Sequence, residues 1–134
     1  MNFVLDTNAV SETEKPRPNP SFTAWHDAQD PGHLLITTVT LAEVWYGFHC
    51  LKPNHPDYDR IKEFASGLPR KYRVLNFDSR AAAIWGEISA QANGPLPLRD
   101  SLIAAIVRSR GFRIVTRDSK PFERMGCKVV DPWK

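Results

Sequence analysis

Met1-Asn2-Phe3-Val4-Leu5-Asp6-Thr7-Asn8-Ala9-Val10-Ser11 opens the chain. Phe3, Val4 and Leu5 pass straight into Asp6, Thr7 and Asn8. A short continuous apolar run closed by polar residues is the pattern of a strand buried on both faces. An acid at the end of such a strand is costly unless it is paired or reaches a solvated edge. In open parallel α/β sheets, ligand sites form just outside the carboxyl ends of the strands, and Asp6 is expected there. The remaining question is which other groups reach that edge.

At 134 residues the chain is read as a single domain, residues 1–134, with one sizeable core. A content of 42% hydrophobic and 25% charged residues is ordinary for a soluble globular protein. No segment approaches the roughly 20 apolar residues of a membrane span, so no membrane partner is expected. The first residues lack the basic flank and apolar core of a signal peptide. Cys50 and Cys127 show no metal-ligand spacing, and two cysteines alone do not define a disulfide. The expectation is a cytoplasmic protein with reduced thiols. The net charge of +3 and sequence pI of about 9.0 permit a polyanionic partner without requiring one.

After the first strand, Lys15-Pro16-Arg17-Pro18-Asn19-Pro20 reads as a loop, because three prolines in six residues exclude helix or strand. Its cations, Arg17 among them, are candidates to face a phosphate backbone, beside the plainer reading of a solvated loop. A short helix is expected over 21–29, then a second strand over 34–37. Leu41, Val44, Trp45, Phe48 and Leu51 recur at helical spacing, a stripe read as core, part of which could form a partner groove. Lys52-Pro53-Asn54-His55-Pro56 breaks this helix, and another is expected over 57–68, stopped by Gly67 and Pro69. A third strand over 73–77 precedes a helix carrying Ala81, Ile84, Trp85, Ile88 and Ala92. A strongly apolar helix runs from Arg99-Asp100 to Arg110, with Gly111 as its C-cap. A fourth strand over 113–116 ends at Arg117-Asp118, and 128–130 forms a last short strand. Strands alternating with helices predict an α/β fold with a central, mainly parallel sheet of about four to five strands flanked by helices.

That topology gathers acids. Asp6 and Asp118 follow strands. The helix leaving the second strand begins at the same carboxyl edge and carries Glu43 in its first turns. The helix feeding the fourth strand must also start at that edge, which places Asp100 there. Four converging carboxylates repel, and some must protonate unless a cation compensates. Magnesium or manganese suits carboxylate and water oxygens, and the natural chemistry is metal-assisted phosphodiester hydrolysis. Each acid also has a plain structural explanation. Thr40-x-x-Glu43 reads as a capping box, Asp100 as an N-cap or first-turn acid, Asp118-Ser119 as a turn opener, and Asp6 as a partner of its own loop. What the separate explanations leave open is why all four share one edge. Thr7 and Asn8 could orient Asp6 or hold metal-bound waters, or serve ordinary turn chemistry. His26, His33, His49 and His55 form no ligand pair, and no Gly-rich phosphate loop occurs.

With these residues in hand, the chain resembles the PIN-domain proteins, specifically the VapC-like toxin ribonucleases of bacterial type II toxin–antitoxin pairs, near the FitB subgroup. The resemblance rests on Val4-Leu5-Asp6-Thr7-Asn8, on Thr40-Leu41-Ala42-Glu43-Val44 with Gly47, and on the run from Leu96 to Ala105. It continues in Ile114-Val115-Thr116-Arg117-Asp118 before Phe122, and in Val130-Asp131-Pro132-Trp133. It implies a Mg2+- or Mn2+-dependent endoribonuclease in which Asp6, Glu43 and Asp100 match the three main metal-binding acids and Asp118 the more variable fourth. It also implies a homodimer and a cognate antitoxin that blocks the site, often with an inserted arginine, with operator DNA bound only through the antitoxin. Pro121 stands where many relatives carry an acid. Arg17, Arg99 and Arg117 are the candidate phosphate contacts. Two rival readings use the same acids: a catalytically weak protein that receives a partner's arginine, and an aspartyl-phosphate phosphatase with Asp6 as nucleophile. Asn8 counts against the latter, which wants a second acid two residues on.

Overall fold

The computed structural model describes residues 1–134. The strands are β1 (Phe3–Leu5), β2 (Leu34–Thr37), β3 (Arg73–Leu75), β4 (Arg113–Val115) and β5 (Lys128–Val130). The helices are α1 (Thr7–Glu14), α2 (Pro20–Ala28), α3 (Thr38–His49), α4 (Tyr58–Lys71), α5 (Ser79–Gln91), α6 (Leu98–Arg110) and α7 (Ser119–Arg124). A single 3-10 turn, Pro31–His33, precedes β2. All five strands are parallel, in the order β3-β2-β1-β4-β5. The chain lays β2 and β3 to one side of β1, then crosses to place β4 and β5 on the other. The strand order therefore reverses at the β1/β4 boundary, the position where such sheets bind ligands.

Side-chain alternation along the strands builds a core on each face. Val4, Leu35 and Ile114 point to one face, where Ile103 to Val107 of α6, Ala81 and Ile88 of α5, and Phe122 cover them. Leu5, Leu34, Ile36 and Val115 point to the other, under Ala9 and Val10 of α1, Phe22 of α2 and Leu68 of α4. Burial on both faces explains why the strands read as apolar runs. No helix is long and apolar enough to cross a membrane.

Several expectations are corrected. Residues 7–14, to which the sequence reading assigns no element, form α1, with Ala9, Val10 and Glu12 buried. Pro20 is the first residue of α2, where a missing N–H costs nothing, and Asn19 caps it by accepting from the Phe22 amide at 3.1 Å. α4 does not stop at Gly67 and Pro69 but runs to Lys71. Pro69 is exposed in its last turn, while buried Ala65 and Leu68 hold the helix to the sheet. β3 ends at Leu75 rather than residue 77. Of the stripe on α3, Phe48 is buried and Trp45 packs edge-on against it at 5.8 Å.

Candidate metal centre

The registers set the floor of the site. Val4 pairs Leu35 and Leu5 pairs Val115, so continuing both ladders places Thr37, Asp6 and Thr116 side by side. The Asp6 amide extends the ladder by donating to the Val115 carbonyl at 3.0 Å. All three residues are buried. Thr116 Oγ1 donates to Asp6 Oδ2 at 2.9 Å, and the Thr7 amide donates to Oδ1 at 2.8 Å. Each Asp6 oxygen is thus held by one donor, and each keeps a further lone pair.

Glu43 reaches the same edge from the second turn of α3. Its Oε1 accepts from Thr7 Oγ1 at 2.8 Å. Since Thr7 spends its only proton there, the 3.1 Å contact between Thr7 and Thr40 is donated by Thr40, whose oxygen in turn accepts from Thr37 at 3.4 Å. A directed chain of three hydroxyls therefore orients Glu43. The capping-box reading of Thr40 and Glu43 is corrected: Thr37 is the N-cap and accepts from the Thr40 amide at 3.1 Å.

Asp100 lies in the first turn of α6, which is capped by Pro97 without a side-chain bond. That turn is pinned to α5 by Trp85 Nε1 donating to Ser101 Oγ at 3.0 Å, and by Ser101 donating to the Leu98 carbonyl at 2.7 Å. Asp100 itself accepts no hydrogen bond, so it is not the N-cap the sequence allowed. Asp118 follows β4 and precedes α7 but makes no side-chain cap bond. Its Oδ2 accepts only from Asn8 Nδ2 at 3.4 Å. Asn8 also donates to Thr116 at 3.2 Å and accepts from the Arg117 amide at 3.3 Å. The four acids thus share one edge, with Thr7 and Asn8 between them as orienting groups.

Electrostatics records their proximity. Burial pushes the Asp6 carboxyl up to about 6 against the lowering effect of its Thr116 and Thr7 bonds, and the charges on Asp100 and Glu43 add to the rise. Asp100 is raised by burial, then by Glu43 and Asp118. No three acidic, histidine or cysteine side chains stand close enough to enclose an ion by themselves. The donor set nevertheless fits a hard divalent cation, which binds through one or two carboxylates and keeps several waters. It consists of carboxylates, one without any partner and two with raised pKa, and contains no sulfur or imidazole.

The three candidate phosphate contacts differ in position. Arg99 Nη1 lies 3.7 Å from Glu43 Oε2, and its Cζ lies 5.3 Å from the Tyr46 ring centroid. Arg117 is turned the other way, to Glu12 Oε1 at 3.2 Å and over the Trp133 ring at 4.9 Å. Arg17 is exposed beyond the far end of α1 and contacts none of the four acids. Sequence reasoning missed Thr37, Thr40, Thr116 and Glu12. Thr37 and Thr116 had a signal, since the adjacent runs Leu-Ile-Thr, Val-Leu-Asp and Ile-Val-Thr share a pattern and align once the register is known, and Thr40 reads from sequence only as part of a capping box. Glu12 had none. It is buried, accepting from Trp133 Nε1 at 2.9 Å, the Asn19 amide at 2.9 Å and Lys15 at 3.1 Å.

Comparison with known proteins adds three kinds of relative. The family model described as PIN domain matches residues 3–127. The chain is 34% identical to VapC ribonuclease Y4jK of Sinorhizobium fredii, covering 98% of each chain. It is 31% identical to Toxin FitB of Neisseria gonorrhoeae, again over 98% of each, and the crystal structure of FitAcB from that organism superposes with a TM-score of 0.88 at 28% identity, covering 98% of each chain. DNA-bound VapBC from Salmonella typhimurium gives a TM-score of 0.82 at 28% identity, over 100% of this chain and 99% of that one.

Proposed function

Because the chain belongs to the PIN-domain family, we propose that it is an endoribonuclease, the toxin of a type II toxin–antitoxin pair, that uses Mg2+ or Mn2+ held by Asp6, Glu43, Asp100 and Asp118. The observation that carries the reading is the meeting of these carboxylates at the β1/β4 switch point, with Asp6 and Asp100 both raised by burial and by their acidic neighbours. Carboxylates this close together disfavour one another's ionised forms, and a hard cation compensates them.

When bound, the ion polarises a scissile phosphate and lowers the pKa of a water. The chain's own residues prepare the place. Thr116 and the Thr7 amide fix both oxygens of Asp6. The threonine chain ending at Thr7 fixes Glu43. Asp100 offers two oxygens with no competing donor. Asp118 is exposed and held only through Asn8, so it assists rather than anchors. Arg99, at the rim beside Glu43, is the phosphate contact best placed of the three. Arg117 is committed to Glu12 and Trp133 and secures the β4–α7 loop. Pro121, where the resemblance places an acid in many relatives, supplies no carboxylate, and its effect falls on a second metal or on the local loop rather than on these four acids.

The relatives' names and complexes support RNA as substrate, a cognate antitoxin as partner and DNA bound through that complex; we propose further that the antitoxin covers the acidic edge and that the working unit is a homodimer. The second reading, in which the acids receive a partner's arginine, draws support from the chain's own Arg99, whose guanidinium lies 3.7 Å from Glu43. The phosphatase reading loses ground, since the Asn8 amide is occupied by Thr116 and Asp118 and supplies no acid.

The test is cleavage of a mixed RNA pool by purified protein in magnesium, manganese or chelator. Cleavage in metal that stops in chelator is the expected result. Metal-independent cleavage, or none with metal binding absent, would overturn the reading.

A further inference from the structure

Tyr46 lies on α3 three residues after Glu43, on the same helix face. The residue is 61% exposed, the most exposed aromatic among the large hydrophobic residues, and it takes no part in either core. Arg99 covers one side of its ring, with Cζ 5.3 Å from the centroid, and places Nη1 3.7 Å from Glu43 Oε2. The Glu43 contact, at 3.7 Å with the Arg99 side chain 58% exposed, leaves most of its five N–H donors free. The Tyr46 ring, exposed on the side away from Arg99, the half-exposed Arg99 guanidinium and Glu43 therefore form one patch, and Asp100 follows Arg99 on α6. A groove of about 440 Å3 runs along it, with Val39, Ala42 and Leu102 as its apolar wall.

We propose that Tyr46 and Arg99 form the subsite for a nucleotide flanking the scissile phosphate of single-stranded RNA, with the base stacked on the Tyr46 ring and the phosphate bonded by Arg99. This rests on the ribonuclease reading and adds to it the substrate form and the residues that grip it. The chemistry selects this occupant. Single-stranded bases stack on exposed aromatic rings and arginine planes, and the only cation contacting this ring is the one adjoining the acids. A duplex presents no free base face to such a ring.

The experiment uses the full chain carrying Asp100→Asn, in magnesium, and short single-stranded oligoribonucleotides bearing one fluorescent adenine analogue whose emission is quenched by stacking. The parent binds and quenches. Adding Tyr46→Leu weakens binding about tenfold and abolishes quenching, whereas Tyr46→Trp keeps the quenching. Arg99→Gln weakens binding and lowers the slope of log affinity against log salt by about one contact. In the otherwise wild-type chain, Tyr46→Leu raises KM more than it lowers kcat, and circular dichroism confirms the fold. If the wild type cleaves RNA while Tyr46→Leu matches it in KM, affinity and quenching, the subsite is overturned and the ribonuclease reading stands. If Tyr46→Leu instead shifts the sedimentation of the protein with RNA binding intact, the ring belongs to a contact between copies and the subsite is again overturned. If the parent binds no RNA and the wild type cleaves none, both fall together.

Discussion

Asp6 stands at the junction of every feature of the site, and its neighbour Thr116 makes the clearest single-side-chain prediction. Thr116 Oγ1 has one proton and gives it to Asp6, while accepting from Asn8 and from the Asp118 amide at 3.0 Å. Replacing it with valine keeps the shape of a buried strand residue and removes all three bonds. Groups that orient a metal's ligands typically cost roughly tenfold to a hundredfold in metal affinity or activity when removed. Thr116→Val should therefore cut cleavage by that order at limiting metal, with partial recovery at saturating metal, measured as a metal titration of the cleavage rate. A loss that no metal concentration relieves would assign Thr116 to the fold alone. Asp6, Glu43, Asp100 and Asp118 were legible in the sequence because topology alone gathers them. Thr116 was not, because a threonine that closes an apolar run looks like ordinary strand termination until the β1/β4 register sets it beside Asp6.

Among the elements, α3 links local folding most directly to the site. Thr37 caps it through the Thr40 amide and also starts the hydroxyl chain that ends on Glu43. Thr37→Ala should lower stability by about 1 kcal/mol through the lost cap. It should also loosen Glu43, so that activity falls further than the stability loss explains. Denaturant melts beside cleavage at a temperature where both proteins are folded separate the two effects. The strands and the long helices were readable because apolar periodicity is strong where two faces are buried. The helix α1 was not, because its buried face carries Glu12 in a position where a pattern of apolar residues would have announced it. The stop expected at Pro69 failed for the opposite reason: packing of Ala65 and Leu68 outweighs one absent hydrogen bond in a terminal turn.

The whole molecule balances two buried carboxylates of opposite tendency. Burial would raise Glu12, but its bonds from Trp133, Asn19 and Lys15 outweigh this and bring it down to about 2 from 4.5. A lowered pKa contributes stability that is present above the unfolded value and lost as pH falls towards the folded one. Asp6 is raised from 3.8 to about 6, so its contribution is complete below 3.8 and lost as pH rises through 6. Without metal, these two groups place maximal stability in the acidic range between their transitions. Stability should then decline by about 3 kcal/mol as Asp6 ionises. Saturating magnesium should remove most of that decline, because it favours the ionised carboxylate. Asp6→Asn should flatten it even in chelator. Denaturant melts across that range, with and without magnesium, check all three statements. Glu12 also ties the chain's last residues to its first helix, since Trp133 stacks on Phe22 at 4.8 Å and donates to the Glu12 carboxylate. The sequence held no sign of this link, because it joins residues 121 positions apart through one polar bond.

The acidic edge can be tested directly by cleavage of a mixed RNA pool in magnesium by wild type, Asp6→Asn and Asp100→Asn, prepared identically and shown to be folded. Asp100 is the sharper of the two, because it accepts no hydrogen bond that its amide analogue would break. The account predicts that the wild type cleaves and that both variants lose at least a hundredfold in rate, consistent with the loss of a metal-binding group. Cleavage by Asp100→Asn at the wild-type rate, in preparations free of contaminating nuclease, would contradict it.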